Sequence, residues 1–198
     1  MHRRLIGGLL AIIAAASLSS VSASAAARPN NPAELIQSVS AEVGAIAAKR
    51  SGGEREAAMR EILRQDFDLL SVARAALGPH WSEASPEQQT RILAAFETSQ
   101  AKSYADRLGS FSSFSVASVT PKAPGVWRVD SKLNLKGGQP IKVEWEVRQS
   151  SQDLRIADVK VEGVSLFLAE RAAFQSYIQR HGGKVEPLVQ VLEARAAR

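Results

Sequence analysis

Apolar residues recur every three to four positions in the first third of the chain, a pattern that predicts a run of amphipathic helices. The first helix carries Leu35, Val39 and Val43 on one apolar stripe. It ends before Gly52-Gly53, and a second, shorter helix is predicted over residues 54–65. This part of the chain is therefore expected to be helical, with one side of each helix buried.

Two further helices are indicated by the residues at their ends. Residues 66–79 begin with acidic residues and finish at Gly78-Pro79, which are ordinary start and stop signals for a helix. Ser85 is followed by Pro86 and then by Gln88, the arrangement of a capping box with proline at the first helical position. The long helix that begins there has a predicted buried stripe of Ile92, Leu93, Phe96, Tyr104 and Leu108.

Beyond Gly109 the apolar residues alternate with polar ones, which indicates β-strands. The alternation runs through residues 127–135 and 141–147, and the Gly137-Gly138 turn lies between them. Such a pattern is typical of a half-buried antiparallel hairpin with one apolar face and one solvated face.

Weaker strand patterns flank this hairpin, and helices follow them. The flanking strands are predicted at residues 114–120 and 154–161, and the second changes phase near Ala157-Asp158, which indicates a β-bulge. The predicted fold class is α+β: an antiparallel four-stranded meander sheet covered by N- and C-terminal helices. The closing helices, separated by Gly182-Gly183, carry Phe167, Phe174, Tyr177 and Ile178, then Leu188, Val189 and Leu192.

The N-terminal residues have the features of a secretory signal peptide. Arg3-Arg4 precedes an uncharged apolar stretch over 5–16, and Ala23-Ser24-Ala25 matches the A-x-A cleavage pattern. A transmembrane anchor is the alternative, but the stretch is shorter than the roughly 20 apolar residues that a spanning helix needs. We therefore expect residues 1–25 to be removed and residues 26–198 to form one exported domain.

Composition excludes several classes of function. The chain has no cysteine, so it cannot hold disulfides, zinc–thiolate sites, iron–sulfur clusters or a cysteine nucleophile. The formal net charge is +5 over 198 residues, and +3 without residues 1–25, where 23 basic residues stand against 20 acidic ones. Because basic and acidic residues are interleaved, no nucleic-acid-binding patch is expected.

No set of catalytic residues is evident either. The sequence contains no G-x-S-x-G, H-E-x-x-H or phosphate-binding glycine loop. His80 lies in a Gly-Pro-His-Trp turn, and His181 precedes a Gly-Gly stop, where histidine commonly binds the last helix carbonyls. Asp66 and Asp68 are explained more simply as helix-start residues than as a metal pair. We therefore expect no enzyme activity, no metal and no organic cofactor.

Two motifs, taken together, resemble one known family. The first is Ala73-Arg74-Ala75-Ala76-Leu77-Gly78-Pro79-His80-Trp81, and the second is Asp158-Val159-Lys160-Val161-Glu162-Gly163-Val164-Ser165-Leu166. In order and spacing they are similar to the MlaC family, the periplasmic phospholipid-binding components of an ABC-type lipid transport system. The resemblance extends over nearly all of the chain after residue 25.

The resemblance implies a fold of sheet and helices around a deep apolar pocket, a periplasmic location and no cofactor. It also implies three partners: a phospholipid bound by its acyl tails, an inner-membrane ABC complex and an outer-membrane lipoprotein complex. A related branch is associated with hopanoids, so an exported carrier of a hopanoid or another apolar ligand is the alternative. The hydrophobic pattern by itself fits a filled core as well as a lipid cavity.

The candidate site follows from the apolar faces and the motif residues. The apolar face of the hairpin is predicted to form one pocket wall, opposite the long helix and residues 161–167. Arg74 stands between apolar neighbours, so we expect a partly buried guanidinium with a structural role, paired with a carboxylate. The candidate partners are Asp66, Asp68 and Glu97. The predicted lipid-binding residues are Phe67, Leu70, Leu77, Trp81, Phe96, Tyr104, Val129, Leu133, Val143, Trp145, Val147, Val161, Leu166 and Phe167.

Overall fold

Helices come first, an antiparallel sheet follows, and two more helices come after it. The structure, a computed structural model, describes residues 30–151 and 153–197, so the predicted signal peptide lies outside the described residues. The helices before the sheet are α1 (Pro32–Lys49), α2 (Gly52–Asp66), α3 (Leu69–Leu77), α4 (Pro79–Glu83) and α5 (Pro86–Arg107). A 3-10 turn (Leu108–Ser110) precedes β1 (Phe111–Ala123), β2 (Val126–Leu135), β3 (Ile141–Ser150), β4 (Asp153–Val161) and β5 (Val164–Ser165); α6 (Leu166–Arg180) and α7 (Glu186–Ala196) follow.

The strands form one sheet in the order β1-β2-β3-β4-β5, with every neighbouring pair antiparallel. This confirms the α+β meander, with five strands where the sequence predicts four. The additional strand β5 contributes only Val164 and Ser165, which pair with Val161 and Lys160 across a turn at Gly163. A strand of two residues has no alternation, so the hydrophobic pattern could not indicate it.

The predicted irregularity in β4 is confirmed as a bulge. Glu146 pairs with Asp158 whereas the next residue, Val147, pairs with Ile156, so Ala157 is the extra residue. At the edge of the sheet, β1 is longer than the predicted strand over 114–120.

The starts of the helices follow the capping residues. Ser85 accepts a hydrogen bond from the Gln88 amide at 3.1 Å, and the Gln88 side chain accepts one from the Ser85 amide at 3.0 Å, which confirms the capping box. The Asp68 carboxylate accepts from the Ser71 amide at 3.2 Å and starts α3. The helix predicted over 66–79 begins later than expected, at Leu69, because Asp66 still belongs to α2. Its predicted stop at Gly78-Pro79 is confirmed, since α3 ends at Leu77 with Gly78 as the C-cap and Pro79 opens α4.

Two hydrophobic cores share α5. The sheet core packs α1, α2 and the C-terminal half of α5 against the inner face of the sheet, and it includes Ile36, Leu63, Ala101, Val129 and Ile156. The helical core packs the N-terminal half of α5 against α3, α6 and α7, and it includes Leu77, Ile92, Phe96, Phe174 and Leu188.

The outer face of the sheet carries ion pairs between neighbouring positions of a strand. Arg128 Nε lies 3.2 Å from Asp130 Oδ1, and Lys142 Nζ lies 2.9 Å from Glu144 Oε1. This face is solvated, so burial is confined to the face that the helices cover. None of the helices in the described part of the chain has the length and apolar character needed to cross a membrane.

Candidate functional site

A cavity of about 760 Å³ lies between the inner face of the sheet and helices α1 and α2. The sheet contributes side chains from four strands, and the helices contribute the buried stripes of α1 and α2 and the C-terminal end of α5. We call this space the main cavity. Its walls are Val39, Val43, Met59, Ile62, Leu63, Phe67, Tyr104, Asp106, Arg107, Leu108, Gly109, Ser110, Phe111, Phe114, Leu133, Leu135, Ile141, Val143, Trp145, Val159, Val161 and Leu166.

The polar atoms in the sheet wall are satisfied within the wall itself. Trp145 Nε1 donates to Ser131 Oγ at 2.8 Å, and Ser131 Oγ donates to the Val143 carbonyl at 3.3 Å. Ser131 is buried, so these bonds remove the donors that would otherwise require a polar ligand. The wall of the main cavity is therefore apolar in the region around Trp145.

Aromatic rings form one corner of the main cavity. Phe114 packs edge-to-face on Trp145 with ring centroids 4.9 Å apart, and Phe111 packs on Phe114 at 5.2 Å. The Phe114 amide donates to Ser40 Oγ at 2.8 Å, which ties α1 to the edge strand. Packed rings and a hydrogen bond to α1 thus fix this corner of the cavity wall.

The polar side chains that line the main cavity lie together at the end of α5 and the turn after it. They are Tyr104, Asp106, Arg107 and Ser110. Asp106 lies 3.7 Å from Lys102 Nζ, one turn earlier on the same helix. The cavity is thus amphipathic: it has apolar walls and a polar rim on one side.

Tyr104 remains neutral in this position. Burial of the phenol, followed by the negative charge of Glu170, raises the pKa of Tyr104 to about 12. Burial thus moves the phenol further from ionisation than an ordinary tyrosine, and the neutral hydroxyl can donate one hydrogen bond.

A second, smaller cavity of about 280 Å³ lies between α5 and α6, and we call it the side cleft. Six residues line both spaces, so they are separated by little more than side chains. The residues common to both are Leu63, Phe67, Tyr104, Arg107, Val159 and Leu166.

The side cleft has two carboxyl groups on its walls, Asp158 and Glu170. Asp158 is fully engaged: its oxygens accept from Ser165 Oγ at 2.7 Å and from the Phe167 amide at 3.1 Å, which fixes the start of α6. Burial raises the pKa of Glu170 above its usual value, and Arg195 opposes that shift. The cleft is therefore more polar than the main cavity.

Seven of the fourteen predicted site residues line the main cavity. They come from both predicted walls: some lie on the apolar face of the hairpin, and the others lie in the long helix, at Phe67 or in residues 161–167. They are Phe67, Tyr104, Leu133, Val143, Trp145, Val161 and Leu166.

The other seven predicted site residues do not line the main cavity, although Phe96 and Phe167 line the side cleft beside it. Val129 and Val147 lie on the same face of the sheet as Val143 but are 0% exposed within the filled part of the sheet core. Leu70 is exposed. The remaining four, which pack in or against the helical core, are Leu77, Trp81, Phe96 and Phe167.

The expectation of a partly buried Arg74 paired with a carboxylate is wrong for the part of the chain that the structure describes. Arg74 is exposed, and its guanidinium carbon lies 5.8 Å from the centroid of the Trp81 ring, a cation–π arrangement. Glu97 instead binds Arg64 at 2.8 Å and Arg60 at 3.7 Å. The physical reason is the phase of α3, which turns Ala73, Ala76 and Leu77 inward and Arg74 outward.

Sequence reasoning did not assign several wall residues to the site. Val39 and Val43 were visible as an apolar stripe, but a stripe does not show whether it packs on side chains or faces a cavity. Leu108 belongs to the predicted stripe of the long helix, but the residues around it combine a helix end, a glycine turn and a strand start, a mixture with no periodic pattern.

The described residues contain no group of three or more histidine, aspartate or glutamate side chains that could hold a metal ion. His181 Nδ1 lies 2.8 Å from the Tyr177 carbonyl, as expected for a histidine at a helix end. His80 Nδ1 lies 2.7 Å from Glu83 on the short helix α4. Both histidines therefore make local contacts, away from the main cavity.

Comparison with known proteins gives a family and a fold. The sequence model of the MlaC family, described as MlaC protein, matches residues 33–194. No curated protein matches the chain. Among solved structures, the phospholipid-binding protein from Ralstonia solanacearum, in complex with a phospholipid, is similar, with a TM-score of 0.70 and 23% sequence identity. The match covers 83% of this chain and 96% of that one, and at this identity it shows a shared fold.

Proposed function

Since the chain belongs to the MlaC family, we propose that it binds a phospholipid by burying the acyl tails in the main cavity, and that it acts as a carrier rather than an enzyme. The observation that carries this proposal is the main cavity itself, whose apolar walls end at a polar rim. The similar Ralstonia solanacearum protein holds a phospholipid, which supports the same ligand class here.

The size and the apolar walls of the cavity suit this ligand. Two acyl tails contain roughly 30 methylenes, and at about 0.8 kcal/mol each their burial is worth roughly 24 kcal/mol. A bilayer supplies the same free energy, so a carrier must provide a comparably dry space to compete for the lipid. About 760 Å³ is within the range of pockets that enclose small molecules, and the internal bonding of Trp145 and Ser131 keeps the sheet wall apolar.

The proposed role extends to transport between membranes. In it, residues 1–25 direct export, and residues 26–198 work as one lipid-binding domain in the periplasm. The carrier takes lipid at one membrane complex and delivers it to another. The two complexes are an inner-membrane ABC complex and an outer-membrane lipoprotein complex. Family membership supports these partners and this location.

Native mass spectrometry of the purified protein, followed by solvent extraction and lipid identification, tests the proposal. We expect a complex with about one diacyl phospholipid, drawn from several head-group classes because the tails provide the binding energy. A ligand-free mass in repeated gentle preparations would contradict it. Recovery of a hopanoid in place of a phospholipid would favour the alternative ligand.

A further inference from the structure

A single cationic side chain lies at the boundary between the apolar walls and the polar rim. Arg107, the last residue of α5, lines both the main cavity and the side cleft. Among the described residues that line these two spaces, it is the one with a positive charge. It is also exposed, so its guanidinium reaches solvent at the edge of the apolar space.

One nitrogen of the Arg107 guanidinium, Nη1, makes hydrogen bonds within α5, and the other two nitrogens do not. Nη1 donates to the Ser103 carbonyl at 3.1 Å and to the Ser103 hydroxyl. Within residues 30–151 and 153–197, Nε and Nη2 have no hydrogen-bond partner, and no carboxylate forms a salt bridge with this side chain. By contrast, Arg64 and Arg91 are each bound to glutamates at 3.0 Å or less.

Its neighbour Asp106 does not neutralise it. The Asp106 carboxylate lies 3.7 Å from Lys102 Nζ, one turn earlier on the same face of α5. Glu170 and Asp158 line the side cleft, but Asp158 is occupied by Ser165 and the start of α6. A positive charge with free donors therefore remains at the place where an amphipathic ligand would leave the apolar walls.

We infer that Arg107 binds the phosphodiester group of the lipid whose tails occupy the main cavity. A guanidinium presents paired N–H donors that match a phosphate, and such charge-assisted bonds are stronger than neutral ones. The phosphodiester is the one charged group shared by phospholipids with different head groups. The inference rests on the proposed function and adds a specificity to it: a phosphate-bearing lipid binds better than a neutral lipid with the same tails.

A helix-capping role accounts for only part of this arrangement. A basic residue in the last turn stabilises the helix end, and the Nη1 bond to the Ser103 carbonyl is such a contact. That role affects the stability of α5, and it does not change the relative affinity for charged and neutral lipids. The two roles therefore separate in an experiment that compares charged and neutral lipids.

The experiment uses the delipidated full-length mature protein and two lipids with identical acyl chains, phosphatidylglycerol and diacylglycerol. Native mass spectrometry of equimolar mixtures gives the ratio of the two complexes. We expect wild type to favour phosphatidylglycerol by about tenfold, equivalent to about 1.4 kcal/mol. Arg107→Gln should bring the ratio near one while diacylglycerol binding persists, and Arg107→Lys should retain part of the preference. Arg171→Gln, an exposed arginine on α6 that lines neither cavity, is the matched control and should behave as wild type.

Four results would overturn the inference. An unchanged ratio in Arg107→Gln, or an equal loss of both lipids in that variant, would show that Arg107 does not recognise the phosphate, and the proposed function would stand. Binding of inorganic phosphate alone as tightly as the lipid would show that the site recognises a free anion. If wild type bound neither lipid, the proposed function would fail together with the inference.

Discussion

Val143 and Val147 point to the same side of β3 and are almost fully buried, at 1% and 0% exposure. Only Val143 borders the main cavity; Val147 is enclosed by other side chains of the sheet core. Val143→Trp should therefore place its ring in the cavity, keep the protein folded and displace the lipid. Val147→Trp should overpack the core and lower the free energy of unfolding by about 1–3 kcal/mol. Thermal unfolding and lipid occupancy by mass spectrometry measure the two effects.

The two tryptophan variants act as controls for each other, because they introduce the same side chain on the same face of β3, four residues apart. Equal destabilisation by both, with lipid retained by the folded fraction of Val143→Trp, would mean that the space beside Val143 does not hold the ligand.

At the level of single residues, the sequence could predict the face of a strand but not the neighbour that meets it. Alternation placed Leu133, Val143 and Trp145 on the inner face correctly, together with Val129 and Val147. Which of these meets a cavity depends on where α1 and α2 lie over the sheet, and that is set by contacts distant in sequence. Arg74 shows the same limit, since apolar neighbours along the chain did not make its surroundings apolar.

At the level of elements, hydrogen bonds hold α6 at its start and along its length. The partly buried carboxyl group of Glu170, on the same helix, destabilises this packing when it is ionised. Asp158 binds the first turn of α6, and Gln175 donates to the Ala76 and Leu77 carbonyls of α3 at 2.9 and 2.7 Å. Between these attachments Glu170 lines the side cleft, where burial raises its pKa above the ordinary 4.5. Its ionisation therefore costs stability.

This cost gives a pH-dependent prediction. The folded state holds the Glu170 proton more tightly than the unfolded state, so its contribution to stability is full below pH 4.5 and falls as the pH rises through the raised pKa. Glu170→Gln should have a higher melting temperature than wild type at pH 7, and the difference should shrink toward pH 4. Melting curves across that range measure it; a variant less stable than wild type at pH 7 would contradict the assignment.

The elements themselves were largely predictable, because their ends carry local signals. The capping box at Ser85 and the bulge at Ala157 are encoded within a few residues and were confirmed. The two-residue strand β5 and the break between α2 and α3 at Phe67 were not predictable, since both depend on pairing with β4. The bridge between Phe67 and Ile156, which separates α2 from α3, is one such long-range contact.

In the whole molecule, the helical core is filled by side chains, whereas the sheet core contains the main cavity. The helical core joins α3, α5, α6 and α7 without lining the main cavity, apart from contacts at the side cleft. The sheet core contains the main cavity, so a bound lipid would complete the packing of its unfilled part. A ligand that binds the folded state and not the unfolded one stabilises the protein, and delipidation is therefore linked to stability through this core.

The position of the tryptophans allows this arrangement to be measured directly. Trp145 lines the main cavity, whereas Trp81 packs against the helical core. A lipid brominated in its acyl chains quenches only tryptophans in contact with the tails. The Trp81→Phe/Trp127→Phe variant keeps Trp145, and the Trp127→Phe/Trp145→Phe variant keeps Trp81 as a matched control. We predict strong quenching of Trp145 and none of Trp81 on loading with brominated phosphatidylglycerol; quenching of Trp81 with Trp145 unaffected would contradict the placement of the tails in the main cavity.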